Sequence, residues 1–220
     1  MWVFSKHLIY TIDYRFTSLA GERASARSAL ETPGFGGMKM RFDSRDIVLA
    51  SVFAALYATI NVLQMVLIGN PTVYGPIQLR LADCLIPLSA LLGWPVVSGV
   101  TVGCMLTNAY YFIGVQDVVL GPIANLIAAS SIFLLRKRPF FACVVGALPV
   151  GVIVGGYLWL FFPPPDVLNV LPAWIAMIAS ITVSSLIAIA GIGYTVLSIL
   201  SSRGIIGPLR SRGLKTVNES

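Results

Sequence analysis

The chain has 220 residues, 57% of them hydrophobic and 11% charged, with a net charge of +6 and a mean hydropathy of +0.86. A soluble domain carries about 25% charged residues, so this composition excludes an ordinary water-soluble globular protein. The basic residues lie outside the apolar runs, which fits membrane orientation rather than nucleic-acid binding.

Residues 1–38 are mixed polar, with a PGFGG run at 33–37 and the sole histidine, His7, to which no chemistry is assigned. This N-terminal extension reads either as a cytoplasmic tail or as sequence upstream of a start at Met38 or Met40. Trp2–Ile12 is too short and too polar to span a bilayer and lacks a signal-peptide pattern. A membrane domain over residues 39–203 and a basic cytoplasmic tail over 204–220 complete the expected organisation.

Apolar runs of about 20 residues suit membrane-spanning helices, and they lack the alternation of a β-barrel. The first predicted span runs from Ile47 to Ile68. Asp43 or Ser44 can cap it, and Asp46 lies in its first turn. Ala50, Ala54 and Ala58 form a small-residue face, open to two readings: packing inside the protein or docking on a partner. Asn61 and Gln64 lie near its far end and could face a cavity. After a turn-rich loop from Gly69 to Pro76, a second apolar segment, Leu79–Leu92, is broken by Pro87 and reads as tilted or partly re-entrant. Gly93-Trp94-Pro95 makes a tight turn. Further spans are predicted at Val96–Ile113, Val118–Leu135, Phe140–Phe162 and Leu171–Leu200. The expectation is an all-α integral membrane protein with six transmembrane helices.

With six spans, Lys39, Arg41, Arg45, Arg136, Lys137, Arg138, Arg203, Arg210, Arg212 and Lys215 share one side, and only Arg80 is placed opposite. The positive-inside rule makes that shared side, and both termini, cytoplasmic in a multi-pass cell-membrane protein.

Between Ile47 and Leu135 the only charges are Arg80, Asp83 and Asp117. Ionisable groups at membrane depth are costly and usually functional. Arg80 and Asp83 are spaced i,i+3, so they share a helix face and serve as a structural ion pair, a ligand contact, or both. Gln78, Arg80, Asp83, Asn108, Asp117 and Asn125 collect toward the outer half, with Tyr74 and Tyr110 available for stacking. Trp94 is expected at the opposite end. Such a set suits a planar, guanine-like molecule and equally another small polar solute.

Enzyme chemistry finds no support. There is no membrane histidine to serve a nucleophile, no HExxH, no GxGD context around Asp83 or Asp117, and no GxxxxGK[ST] loop. The three cysteines, Cys84, Cys104 and Cys143, form no CxxC pair and read as small buried hydrophobes. No metal site is expected.

YGPIQLRLADCLIPL, then GWPVVSGVTVGCMLTN, then GVQDVVLGPIANLIAA, resembles the QueT family, the small membrane subunits of energy-coupling-factor transporters that import a queuosine precursor. The resemblance covers about Asp46 to Leu200 and is most specific over 74–130; ASVFAALYA fits the family's alanine-rich opening helix. It implies an S-component-like helical bundle that captures a 7-deazaguanine-like base near the outer face without chemistry. It also implies a transmembrane coupling subunit and two cytoplasmic ATPase subunits as partners, which hydrolyse the ATP, with no cofactor in this chain. Ala50, Ala54 and Ala58 would be the docking face. One departure is Asp83 in RLAD, where the family often has glutamate in an RxSE-like run. The alternatives are a self-sufficient carrier of a vitamin or nucleobase, and a structural membrane subunit that binds no small ligand.

Overall fold

The computed structural model describes residues 43–68, 78–168, 170–202, 204–206 and 216. The chain divides into Met1–Arg41 and Phe42–Ser220, and every described residue belongs to the second unit. The N-terminal extension, the loop carrying Tyr74, and Asn169, Arg203, Arg210, Arg212 and Lys215 lie outside the described residues.

The main helices among the described residues are α1 (Ser44–Ile68), α2 (Leu81–Leu92), α3 (Trp94–Tyr110), α4 (Val115–Leu134), α5 (Pro139–Leu158) and α6 (Ala173–Leu200). Four of them, α1, α4, α5 and α6, are long and apolar enough to cross a membrane. The expectation of six transmembrane helices is therefore corrected: the described residues form an all-α, multi-pass bundle with four candidate spans.

The shortfall lies in α2 and α3. Leu81–Leu88 is a 3-10 helix, followed by a single α-helical turn, Ser89–Leu92. At the rises of these two helix types the segment covers roughly 22 Å, against a hydrocarbon thickness of about 30 Å. Pro87 lies inside the 3-10 segment and supplies no backbone N–H. Gly93 then ends α2 and begins α3 within one residue, at φ 74°, a conformation that only glycine adopts cheaply. Helix α3 has 17 residues and stops at Tyr110, short of the expected Ile113.

Local chemistry sets the other ends. Asp43 caps α1: its carboxylate accepts the Ser44 N–H at 2.8 Å, and Asp46 reaches back to the Asp43 N–H at 3.0 Å. Arg136, Lys137 and Arg138 follow the C-terminus of α4, where cations suit the helix dipole, and Pro139 opens α5.

Close backbone approach fixes the packing. Gly99 of α3 faces Ala50 and Phe53 of α1, and Gly103, one turn on, faces Ala54 and Tyr57, so the two helices run parallel. A Cβ at Gly103 would lie 2.8 Å from both the Ala54 carbonyl oxygen and Tyr57 Cβ. Helix α2 is the return leg that makes this parallel pairing possible. The later helices pack antiparallel, with Gly146 of α5 against Ile132 of α4, and Gly151 and Gly155 against Thr182 and Ile178 of α6. Helix α6 contains a π-helical stretch, Leu186–Gly193, whose last glycine lies against Pro87 and Cys84 of α2. The core is apolar around Ile86, Val100, Ile132, Val150, Met177 and Ile189. Val48, Val52, Leu63 and Val66 of α1 face outward, as lipid contact requires.

Candidate functional site

Buried serines such as Ser89, bonded to the Ala129 carbonyl, lie elsewhere, whereas the buried charged and amide side chains gather at one end of the bundle. That end is formed by the C-terminal parts of α1, α3 and α5 and the N-terminal part of α4, away from Arg136–Arg138. Helix α1 contributes a stripe at helical spacing, Tyr57, Asn61 and Gln64, all at most 5% exposed. Gln64 forms a clamp. Its Oε1 accepts the Leu81 N–H at 2.8 Å and its amide nitrogen donates to the Leu79 carbonyl. The start of α2, unable to bond within a regular helix, is thereby tied to α1.

That tie sets Arg80 and Asp83. Arg80 occupies the N-cap of the 3-10 segment in extended conformation, and the Asp83 N–H donates to its carbonyl at 3.1 Å. In a 3-10 helix residues i and i+3 eclipse, so both side chains enter the bundle together. Arg80 is 3% and Asp83 3% exposed. The Tyr57 hydroxyl donates to Asp83 Oδ1 at 2.6 Å and accepts from Asn125 Nδ2 at 2.8 Å. Arg80 Nη1 lies 3.7 Å from Cys104 Sγ. Its charge acts on both Asp83 and Asp117.

Helix α4 supplies the opposite wall. Asp117, Gly121 and Asn125 recur every four residues along it. The missing side chain at Gly121 leaves room for the Asn108 amide of α3, which donates to the Asp117 carbonyl at 2.9 Å. The Asp117 carboxylate lies in the first turn of α4, where the helix dipole favours a negative charge, and accepts the Tyr157 hydroxyl at 2.6 Å.

Of the residues singled out from sequence, Arg80, Asp83, Asn108, Asp117 and Asn125 come together, and Gln78 is buried at 4% exposure where the described chain enters α2. Tyr110 does not join them. It is 74% exposed and meets Tyr111 edge-on, with ring centroids 4.6 Å apart. Asn108 and Tyr110 lie two residues apart on one helix, about 200° around its axis, so they could not both face the site. Tyr74 lies outside the described residues. Trp94 packs on Phe133 at 5.5 Å, beside Arg136 and far from the cluster. Ala54 is buried against α3, whereas Ala50 and Ala58 are half-buried.

Sequence reasoning missed Tyr57 and Tyr157. A tyrosine in an apolar helix reads as an interfacial anchor. For Tyr57 a signal existed, since it lies four and seven residues before Asn61 and Gln64.

Among the described residues four buried side-chain polar atoms have no hydrogen-bond partner: Asn61 Oδ1, Gln78 Nε2, Asp117 Oδ2 and Asn125 Oδ1. With Asp83 ionised the Tyr57 proton goes to its carboxylate, so Asn125 presents its NH2 to Tyr57 and its oxygen is left over. Unpartnered buried polar atoms are costly, so three acceptors and a donor left open make this end of the bundle the candidate ligand site. Among the described residues no group of three or more His, Cys, Asp or Glu side chains could hold a metal ion.

Residues 47–202 match the family model described as "QueT transporter". The "Queuosine precursor transporter QueT" of Lactococcus lactis subsp. cremoris (strain MG1363) is 36% identical over 93 residues, which are 42% of this chain and 52% of that protein. In that match the chain spans about half the length of its curated relative. No solved structure matches. With the family model covering most of the chain, including every helix that builds the polar cluster, the chain belongs to the QueT transporter family.

Proposed function

We propose that this protein is the substrate-capture membrane subunit of an ATP-driven energy-coupling-factor importer, and that it binds a queuosine precursor, a 7-deazaguanine-like base, at its outer side. The observation that carries the reading is the buried polar cluster with its unpartnered atoms. A guanine edge offers N1–H and the 2-amino group to asparagine oxygens, and its O6 accepts from an amide such as Gln78 Nε2. Membership of the QueT family and the name of the Lactococcus relative support the choice of cargo.

The site is proposed to face outward and both termini inward. Helices α2 and α3 together return the chain to the side from which α2 started, so four candidate spans still leave the basic clusters near residues 39–45 and 136–138 on one side. Transport then requires a transmembrane coupling subunit and two cytoplasmic ATPase subunits. The proposed docking face is the small-residue side of α1, at Ala50 and Ala58. Ala54 belongs to the same sequence stripe, but its side chain is already buried against α3.

Equilibrium binding of 7-deazaguanines, guanine and queuosine to the purified, detergent-solubilised chain tests capture. Tight binding of a deazaguanine with weak binding of guanine is the expected result; no binding of any of them by folded protein would remove the assignment. Uptake into vesicles by this chain alone, without ATP, would instead make it a self-sufficient carrier.

A further inference from the structure

We propose that the basic end of the bundle holds an anionic phospholipid, with its phosphate against Arg136 and its glycerol region in a cavity between α2 and α6. This end lies away from the polar cluster, and the proposal does not depend on the capture reading.

A cavity of about 150 Å³ lies where the last turn of α2 meets the C-terminal ends of α4 and α6 and the start of α5. Its lining is divided. Ala90, Leu91 and Leu197, all buried, supply an apolar wall, while Arg136, Ser198 and Ser201 supply polar groups nearer the surface. Helices α4, α5 and α6 are candidate membrane spans. A cavity at the ends of all three lies at the level where lipid headgroups meet water.

Arg136 is held in place. Its Nη1 donates to the Phe133 carbonyl at 3.2 Å, and its guanidinium carbon lies 4.9 Å from the centroid of the Phe133 ring. That ring packs in turn on Trp94 at 5.5 Å. A guanidinium has five N–H donors, so most of them remain for the oxygens of a phosphate. Among the described residues no carboxylate pairs with Arg136. Ser198 and Ser201 are three residues apart at the end of α6, so their hydroxyls share a face and add further donors. Lys137 and Arg138 adjoin the cavity in sequence and raise the positive potential that draws acidic lipids.

The size and the divided lining favour a lipid over a free anion. Pockets for whole small molecules measure about 300–1,000 Å³, so this cavity fits one part of a larger molecule. An inorganic anion would leave the apolar wall without a partner. It would also approach the C-terminal carbonyls of α4 and α6, whose partial charge repels it. A phospholipid sets its glycerol esters against Ala90, Leu91 and Leu197. Its chains then run out over exposed apolar side chains beside the cavity, such as Phe140 and Ile199.

The test titrates the purified full chain in a nonionic detergent with dihexanoyl-phosphatidylglycerol, dihexanoyl-phosphatidylcholine or inorganic phosphate, and follows the melting temperature. The glycerol lipid should stabilise with a midpoint at least about tenfold lower than the choline lipid, and phosphate alone should not stabilise. Arg136→Gln should shrink that preference at least about fivefold, and Lys137→Gln, which removes the same charge outside the cavity, should shrink it less. Ser198→Phe, which puts a ring at the mouth without changing charge, should shrink it too, and it carries the test if Arg136→Gln fails to fold. Equal midpoints for the two lipids overturn the proposal. Stabilisation by phosphate equal to that by the glycerol lipid makes this a free-anion site and overturns the lipid. Equal losses in Arg136→Gln and Lys137→Gln, with none in Ser198→Phe, reduce the effect to general surface charge and overturn the cavity. No effect of either lipid, with a lower ligand-free melting temperature in Arg136→Gln, gives the cavity to a segment of the chain itself and overturns the proposal likewise.

Discussion

The interface between α1 and α3 and the short helix α2 solve opposite problems. The first is backbone against backbone: glycines at 99 and 103 let the α1 main chain come so close that no side chain fits between. The second, too short to cross a bilayer, carries Asp83 in its 3-10 turn and Arg80 at its N-cap, and it is held from outside by Gln64, Tyr57 and the glycine end of the π-helical stretch in α6. One region is rigid because nothing can move. The other is ordered because neighbouring side chains complete its hydrogen bonds. The close-packed interface and the proposed site are thus distinct regions of the chain that meet at Tyr57 of α1, which lies against Gly103 and also bonds Asp83.

The largest effect should come from filling the close contact. Gly103→Leu should cost about 3 kcal/mol or more, seen as a large drop in ligand-free melting temperature in detergent; an unchanged melting temperature would contradict the parallel α1–α3 approach. Next comes Tyr57→Phe, which removes the hydroxyl between Asn125 and Asp83 and leaves both short of a partner. It should lower stability by about 1–3 kcal/mol and weaken ligand binding as well. Loss of binding with no loss of stability would show that the hydroxyl touches the ligand rather than holding the network.

Gln64→Leu sharpens the contrast further. It breaks the clamp on Leu79 and Leu81 with an apolar side chain of similar size, at a cost of about 1–2 kcal/mol. Proteolysis of the ligand-free protein should then become faster in the segment just before α2, while α3 to α6 stay protected. Uniform protection would mean that the clamp does not order α2. The smallest effect is expected for Tyr110→Ala. This side chain lies outside the cluster, so stability should stay within about 0.5 kcal/mol and ligand affinity should not change. A substantial loss of affinity would return Tyr110 to the site.

Much of this was legible in the residues. Composition and run length gave a helical membrane protein, and the rarity of charge drew attention to Arg80, Asp83 and Asp117. Asn108 and Asn125 followed from the same rule, that strong polar groups in apolar helices are costly. Helix length was less legible. Hydropathy counts apolar residues but does not know that Leu81–Leu88 winds as a 3-10 helix or that Gly93 turns the chain within one residue, so two of six expected spans fell short. Facing also eluded a reading that collected polar residues by region: Tyr110 was grouped with Asn108 although helical geometry sets them on opposite sides. The small-residue stripe of α1 left packing and docking open, and the glycines of α3 account for Ala54 by packing.

The Tyr57 hydroxyl has one further consequence. A tyrosine hydroxyl ordinarily adapts, giving a proton to one visitor and taking one from the next. Here its one proton is committed to Asp83 while it accepts from Asn125, so it cannot turn donor toward a visitor. Asn125 is thereby held with its oxygen open, and a base in the wrong tautomer, with a lone pair where the proposed ligand has an N–H, would meet oxygen where it needs a donor. The protein then has no cheap way to forgive the error. Its selectivity would operate on hydrogen count as well as on shape.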